Sequence, residues 1–292
     1  MNKSRFFAIF TVLIWATNPA VVKSMLGEIP NMQALSAGSF MAFLFLLGVN
    51  LKKGTLRDAK KYAPRQYGCM ALLGFTGMFL YNALYYFGLT QLTSQEACII
   101  NYLGPLMLVL FSCLLLKEKL TMMKIVAMLC SFAGIVILSS GGGASAAEGS
   151  RWPGVLCCII AAACYGLFSV LNKKADFDQN IAMPVMWLTT ALCSLVFGLL
   201  TESWVPLSGM QWLGMLWLGA IISGAAYLTW ALALKEAENT AAVANLAYLT
   251  PFLALIISAV FLGEGLHPRA VIALIFIVVG ILPQSFFDQK RA

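Results

Sequence analysis

Apolar stretches of about twenty residues follow one another along nearly the whole chain, and each is long enough to cross the hydrocarbon core of a bilayer as a helix. Ten can be drawn, at 5–25, 32–51, 67–89, 93–116, 121–139, 153–172, 181–201, 210–234, 240–262 and 269–287. A single run of this kind also fits a buried core helix. Ten in succession do not, because a soluble fold needs polar residues to cover its core. Only 11% of the chain is charged and 61% is hydrophobic, where soluble domains carry about 25% charged residues. The short alternating strands of a membrane β-barrel are absent. The expected fold class is therefore all-α integral membrane, with ten transmembrane helices.

The ten runs divide into two sets of five. Ser94 to Leu120 reads SQEACIINYLGPLMLVLFSCLLLKEKL, and Thr240 to Leu266 reads TAAVANLAYLTPFLALIISAVFLGEGL. Tyr102 aligns with Tyr248, Pro105 with Pro251, Ser112 with Ser258 and Glu118 with Glu264. Each pair lies 146 positions apart (248 − 102), half the 292 residues. The Gly/Ala/Ser-rich segment at the midpoint is a natural flexible linker. The expected organisation is a first repeat over 1–140, a linker over 141–152 and a second repeat over 153–292. Five is odd, so two copies in one chain enter the membrane in opposite senses. Inverted repeats of this kind place a site near the midplane between the halves, and they suit alternating access better than a channel or an enzyme.

Lys and Arg set the orientation. With the N-terminus in the cytoplasm, 16 of the 19 basic residues fall on the inner side, and only Lys23, Arg151 and Arg269 lie on or near the outside. Both termini are then cytoplasmic, and the first run, flanked by Lys3 and Arg5, reads as an uncleaved span. The net charge of +7 is topological information and does not call for nucleic acid.

Candidate working residues sit on the repeated helix and on polar or aromatic stripes. Pro105 and Pro251 each remove a backbone donor, and a kink there frees the carbonyls of Asn101 and Ala247 to pack or to meet a solute. Glu96 stands about one turn from the outer end. It has three readings: holding a cationic or amino group, carrying a coupling proton, or acting as an interfacial charge paired with Lys23. Asn101 lies roughly 140° around an ideal helix from Glu96, so one ligand meets both only if the helix bends or unwinds. Glu118 and Glu264 read as capping or pairing groups, with gating as the alternative. Stripes at i, i+4, i+7 spacing bring in Trp15 and Asn18, then Tyr81 with Tyr85, then Trp187, and then Tyr227 with Trp230. Further members are Asn82, Tyr86, Tyr165, Ser169, Asn172, Thr190, Ser194 and Ser223. A stripe on one helix is usually packing. Recurrence on five helices suggests a shared aromatic cavity for a small organic solute with polar ends. The eight cysteines lie inside apolar runs without ligand spacing and read as packing residues. The single histidine, His267, joins no catalytic set, and there is no phosphate loop, metal cluster or ATP-binding module. No enzyme, cofactor or metal is expected. The partners are a small-molecule substrate and the lipid bilayer, with a proton as the one coupling ion for which the chain offers a carrier.

These residues resemble the EamA-type branch of the drug/metabolite transporter superfamily: the two-fold five-helix plan, Trp15 followed by Asn18 and Lys23, the mid-span Pro105 and Pro251, and the endings LLLKEKLT and VFLGEGLHP. The run Glu96 to Pro105, Asn172-Lys173-Lys174-Ala175, and Ala226-Tyr227 with Trp230 are similar to the YddG-type aromatic amino acid exporters. Gly104 departs from that subgroup, which has Trp there. The resemblance implies an inner-membrane carrier moving amino acids or related metabolites outward, with Glu96, Asn101, Tyr102 and Trp230 on the substrate path and Tyr248 as the mate of Tyr102. It leaves open a cationic drug exported, or a nutrient imported, through the same fold. Ten helices suffice for a monomeric carrier.

Overall fold

The computed structural model describes residues 3–26, 29–115, 151–175, 177–235, 249–263, 265–266 and 268–289, with isolated positions at 246 and between 122 and 137. Among these, every regular element is helical. Six stretches are long and apolar enough to span a bilayer: Lys3–Ser24, Asn31–Lys53, Pro64–Gln91, Trp152–Asn172, Gln179–Thr201 and Gly209–Trp230. Most of the fifth expected span, most of the linker, the first half of the ninth span, Glu118, Tyr248, Glu264 and His267 lie outside the described residues.

The first stretch is two helices, α1 (Lys3–Ala16) and α2 (Asn18–Leu26). At Thr17 the hydroxyl donates back to the Ile14 carbonyl at 2.7 Å. Pro19 then falls in the first turn of α2, where a missing N–H leaves no bond unmade. α3 (Asn31–Lys53) ends on Gly54, whose φ of 70° only glycine adopts without strain. Lys52 and Lys53 in its last turn complement the helix dipole. α4 (Pro64–Gly74) leads into a π-helical segment, Phe75–Leu80, and then α5 (Tyr81–Gln91).

The repeated stretch differs from the expected kinked helix. α6 (Ser94–Asn101) stops, Tyr102 and Leu103 turn, and α7 (Gly104–Leu115) begins afresh. The Leu103 amide donates to the Ile100 carbonyl at 3.0 Å, a tightened last turn. Pro105 is thus the second residue of a new helix and frees no carbonyl inside an old one. Gly104-Pro105 is a stop-and-start pair, and the chain obeys it. Pro251 likewise sits in the first turn of its helix. The freed-carbonyl argument holds elsewhere, at Pro184 inside a later helix. The carbonyl it deprives belongs to Asn180, and the Asn50 amide donates to that oxygen at 2.6 Å.

The second half supplies α8 (Trp152–Ala175), α9 (Gln179–Thr201) and α10 (Gly209–Leu216). A second π-helical segment, Trp217–Ala226, leads into α11 (Tyr227–Lys235), followed by α12 (Thr250–Leu262) and α13 (Pro268–Gln289). α3 and α9 run antiparallel along one another. The Glu202 carboxylate, just past α9, accepts from the Met32 and Gln33 amides at the start of α3. Ser36 donates to the Ala191 carbonyl at 3.2 Å, and Asn50 at the end of α3 reaches Asn180 at the start of α9.

Contacts between the halves come in exchanged pairs. α3 packs on the second π segment and α9 on the first. α5 packs on α8 as α11 packs on α1, and α7 packs on α8 as α12 packs on α1. Small residues permit the close approaches. A Cβ on Gly74 would lie 2.6 Å from the backbone of Met186, and one on Gly219 would lie 2.3 Å from the Gly38 carbonyl. Thr11 holds α1 to α11 through the Thr229 hydroxyl at 2.7 Å, and Ser4 donates to the Ala233 carbonyl at 2.7 Å.

Candidate functional site

Three helix starts converge on one cavity between the halves. Asn18, Gly104 and Thr250 line it, and each directly precedes a proline. A residue before proline is steered away from helical geometry, so the breaks follow from local sequence. Discontinuous helices near mid-bundle are where transporters of this general architecture form binding sites.

The walls are aromatic and arranged in two clusters. Tyr81 stacks on Tyr85 with centroids 6.1 Å apart and meets Tyr165 at 5.5 Å. Tyr227 meets Trp15 at 5.4 Å and Trp187 at 5.9 Å, both edge-on. Tyr81 and Tyr227 are repeat mates (227 − 81 = 146), and each is the first residue after a π-helical segment. Such segments turn the following side chain by adding a residue to the turn, and they recur at functional sites. The repeat thus reaches the cavity as a pair of tyrosines facing it from the two halves.

Three lining residues carry a buried side-chain atom without a hydrogen-bond partner: Asn101, Trp187 and Thr250. The Asn101 amide donates to the Tyr81 hydroxyl at 2.9 Å, while its Oδ1 is buried and unbonded. The Trp187 indole N–H is also buried and unbonded. Leaving such a group unsatisfied costs about 1–3 kcal/mol, and native interiors rarely tolerate it without a reason. The Asn101 oxygen accepts and the Trp187 indole N–H donates, and these two come from opposite halves. The cavity itself measures about 190 Å³.

Trp15, Asn18, Tyr81, Tyr85, Asn101, Tyr102, Trp187 and Tyr227 thus line one cavity. Trp230 stands behind it, its ring 5.4 Å from that of Trp15. Glu96 is not in the lining. It caps α6 in a reciprocal box with Thr93, the two amides each bonding the other's side chain at 3.2 Å. Its second oxygen bonds Arg151 at 2.5 Å. Glu96 therefore pairs with Arg151 and not with Lys23, whose ammonium donates instead to the Leu89 and Leu92 carbonyls at the end of α5. Several stripe residues turn out to bond their own helices: Ser169 to the Tyr165 carbonyl, and Ser194 to that of Thr190. The residue-by-residue reading missed Thr250, Pro19 and Cys98 as lining. Thr250 and Pro19 are flagged by the same X-Pro signal that marks Gly104. Cys98 lies one turn before Asn101 and Tyr102.

A helical bundle with spanning segments around an aromatic cavity has the build of a membrane transporter of small solutes. The EamA-like transporter family model matches residues 2–140 and again 152–283, and the chain belongs to that family. It is 27% identical to the "Aromatic amino acid exporter YddG" of Ancylobacter novellus over 85% of both chains. It is 23% identical to a "Probable terminal-alkyne amino-acid exporter" of Streptantibioticus cattleyicolor, covering 97% of this chain and 93% of that one. It is 25% identical to an "S-adenosylmethionine/S-adenosylhomocysteine transporter" of Chlamydia trachomatis, covering 94% and 86%. A solved crystal structure superposes with a TM-score of 0.72 over 98% of both chains at 23% identity, a likeness of fold.

Proposed function

We propose that this protein is a secondary carrier that exports amino acids with a single aromatic or apolar side chain across the bacterial inner membrane. It works as ten spans in two inverted five-helix repeats, bounded at 1–140 and 153–292, with both termini cytoplasmic and one chain sufficient. The observation that carries the reading is the presence of an orphan acceptor on Asn101 and an orphan donor on Trp187 in an aromatic cavity. An α-ammonium group donates to Asn101 Oδ1, and an α-carboxylate accepts from the Trp187 indole N–H. Size supports the same class. A cavity of about 150 Å³ accepts a benzene, and this one is about 190 Å³. A nucleoside-bearing solute needs more, since ordinary ligand pockets start near about 300 Å³.

The cationic-drug reading has less support, because Glu96 is committed to Thr93 and Arg151 outside the lining. A proton carried on Glu96 has to break the same contacts, so we read transport as facilitated along the solute gradient.

Counterflow in proteoliposomes tests the proposal. Labelled Phe is expected to exchange saturably and to be displaced by Tyr. Asn101→Leu and Trp187→Phe are each expected to weaken the apparent affinity roughly tenfold, the loss of one buried hydrogen bond. Linear, unsaturable flux of every amino acid offered would overturn it.

A further inference from the structure

We infer that Gly104 and Tyr165 together set the largest ring system the cavity admits. The inference rests on reading the cavity as a solute site, and it names what limits that site. Both residues line the cavity. Gly104 opens α7, and a Cβ built on it would lie 3.2 Å from the Cδ1 of Tyr165; among the described residues outside its own helix turn and chain neighbours, only that ring comes within 4 Å. The missing methyl is therefore space used by one neighbour, the Tyr165 ring.

Tyr165 has little freedom to give that space back. On one flank it meets Tyr81 at 5.5 Å, and Tyr81 is itself stacked on Tyr85 and bonded to Asn101. Along α8 it meets Phe168 at 6.4 Å. Phe168 in turn fills the notch at Gly77, where a Cβ would lie 2.1 Å from its ring. The ring is thus wedged between a glycine notch and a tyrosine stack. A methyl at 104 pushes it toward the cavity or into Tyr81, and either movement narrows the space for a ring. Removing the Tyr165 ring does the opposite and leaves Tyr81, Asn101 and Trp187 in place. Packed interiors transmit a single added carbon in this way because they hold few voids.

The test uses rings without an amino acid head, so that cavity size and cargo are read separately. Phenol and indole are titrated against the purified full chain, and apparent affinities are taken from the rise in thermal midpoint. In parallel, Phe and Trp are compared in counterflow. Gly104→Ala is expected to weaken indole relative to phenol by about tenfold or more, the scale of one carbon in an apolar pocket. Tyr165→Leu is expected to shift the ratio the other way, and it decides the matter alone if Gly104→Ala does not fold. Equal changes for both rings in each variant would overturn the inference, because a merely structural glycine moves them together. Failure of both rings to bind the wild type overturns it as well. If the rings behave as stated and no amino acid exchanges, the size limit stands and the amino acid cargo falls.

Discussion

Glu96 shows how a residue suspected of substrate chemistry can hold the frame instead. Its side chain is 12% exposed and that of Arg151 15%, so the pair is largely withdrawn from water. Removing one member of a buried pair costs about 3–5 kcal/mol, mostly from the charge left behind. Glu96→Gln keeps the cap on α6, since Gln serves the same box, and loses only the ion pair. The expected result is a lowered thermal midpoint with the apparent affinity for Phe unchanged. The double variant with Arg151→Met should recover part of the stability. If Glu96→Gln abolishes accumulation driven by a pH gradient while Arg151→Met leaves it intact, the carboxylate carries a proton and the structural role is wrong. Part of this was legible. Thr93 and Glu96 spell a capping box within four residues, although the residue was weighed only as a charge. Arg151 was not legible, because it comes 55 residues later with no periodicity to link the two. Of the three basic residues left outside by the charge count, two thus prove to hold specific acceptors: Arg151 a carboxylate, and Lys23 the end of a helix.

At the scale of elements, glycines decide which helices touch. Gly74 meets the Met186 backbone and Gly219 meets the Gly38 carbonyl, matching contacts made by α4 with α9 and by the second π-helical segment with α3. Backbone cannot step aside as a side chain can. Gly74→Ala and Gly219→Ala are therefore each expected to lower the thermal midpoint sharply or to prevent folding. Gly48→Ala, where a Cβ meets nothing within 4 Å, should gain roughly 0.5–1 kcal/mol from helix propensity. Thermal unfolding of the three variants checks this, and equal behaviour at Gly48 and Gly219 would remove the packing argument. Uninterrupted spans were readable because a long apolar run ends where charge begins: 32–51 was expected and Asn31–Lys53 is found, 181–201 was expected and Gln179–Thr201 is found. Breaks were harder. Pro105 was read as a bend in one helix, although Gly104 beside it already permits a full stop. The π-helical segments leave no comparable mark, since an extra residue in a turn alters which face the following residues occupy without altering their hydrophobicity. The aromatic wall was legible from spacing, as with Tyr81 and Tyr85. The orphan atoms of Asn101 and Trp187 required coordinates.

For the whole molecule, the proposed alternating-access mechanism calls for a second arrangement in which the exchanged contacts between the halves trade places. Three contacts hold the end of the bundle carrying Gln91 and Trp152 together. Lys23 holds the end of α5, Glu96 holds Arg151, and Gly88 lies against Cys158. Release of solute at this end requires α5 and α8 to part. Gly88 offers a direct way to forbid it. A Cβ there would lie 3.8 Å from the Cβ of Cys158, the mean separation in disulfides at about 3.8 Å. It would also lie 2.3 Å from the Cys158 sulfur, so that thiol must swing aside before it bonds. Gly88→Cys is expected to cross-link to the native Cys158 under mild oxidant, to lose counterflow as the link forms, and to regain it with dithiothreitol. Gly88→Cys combined with Cys158→Ala should be indifferent to oxidant, which excludes the other cysteines as the cause. A fully cross-linked protein that still exchanges solute at the wild-type rate would show that α5 and α8 stay together during transport, and the two halves would then have to move about some other contact.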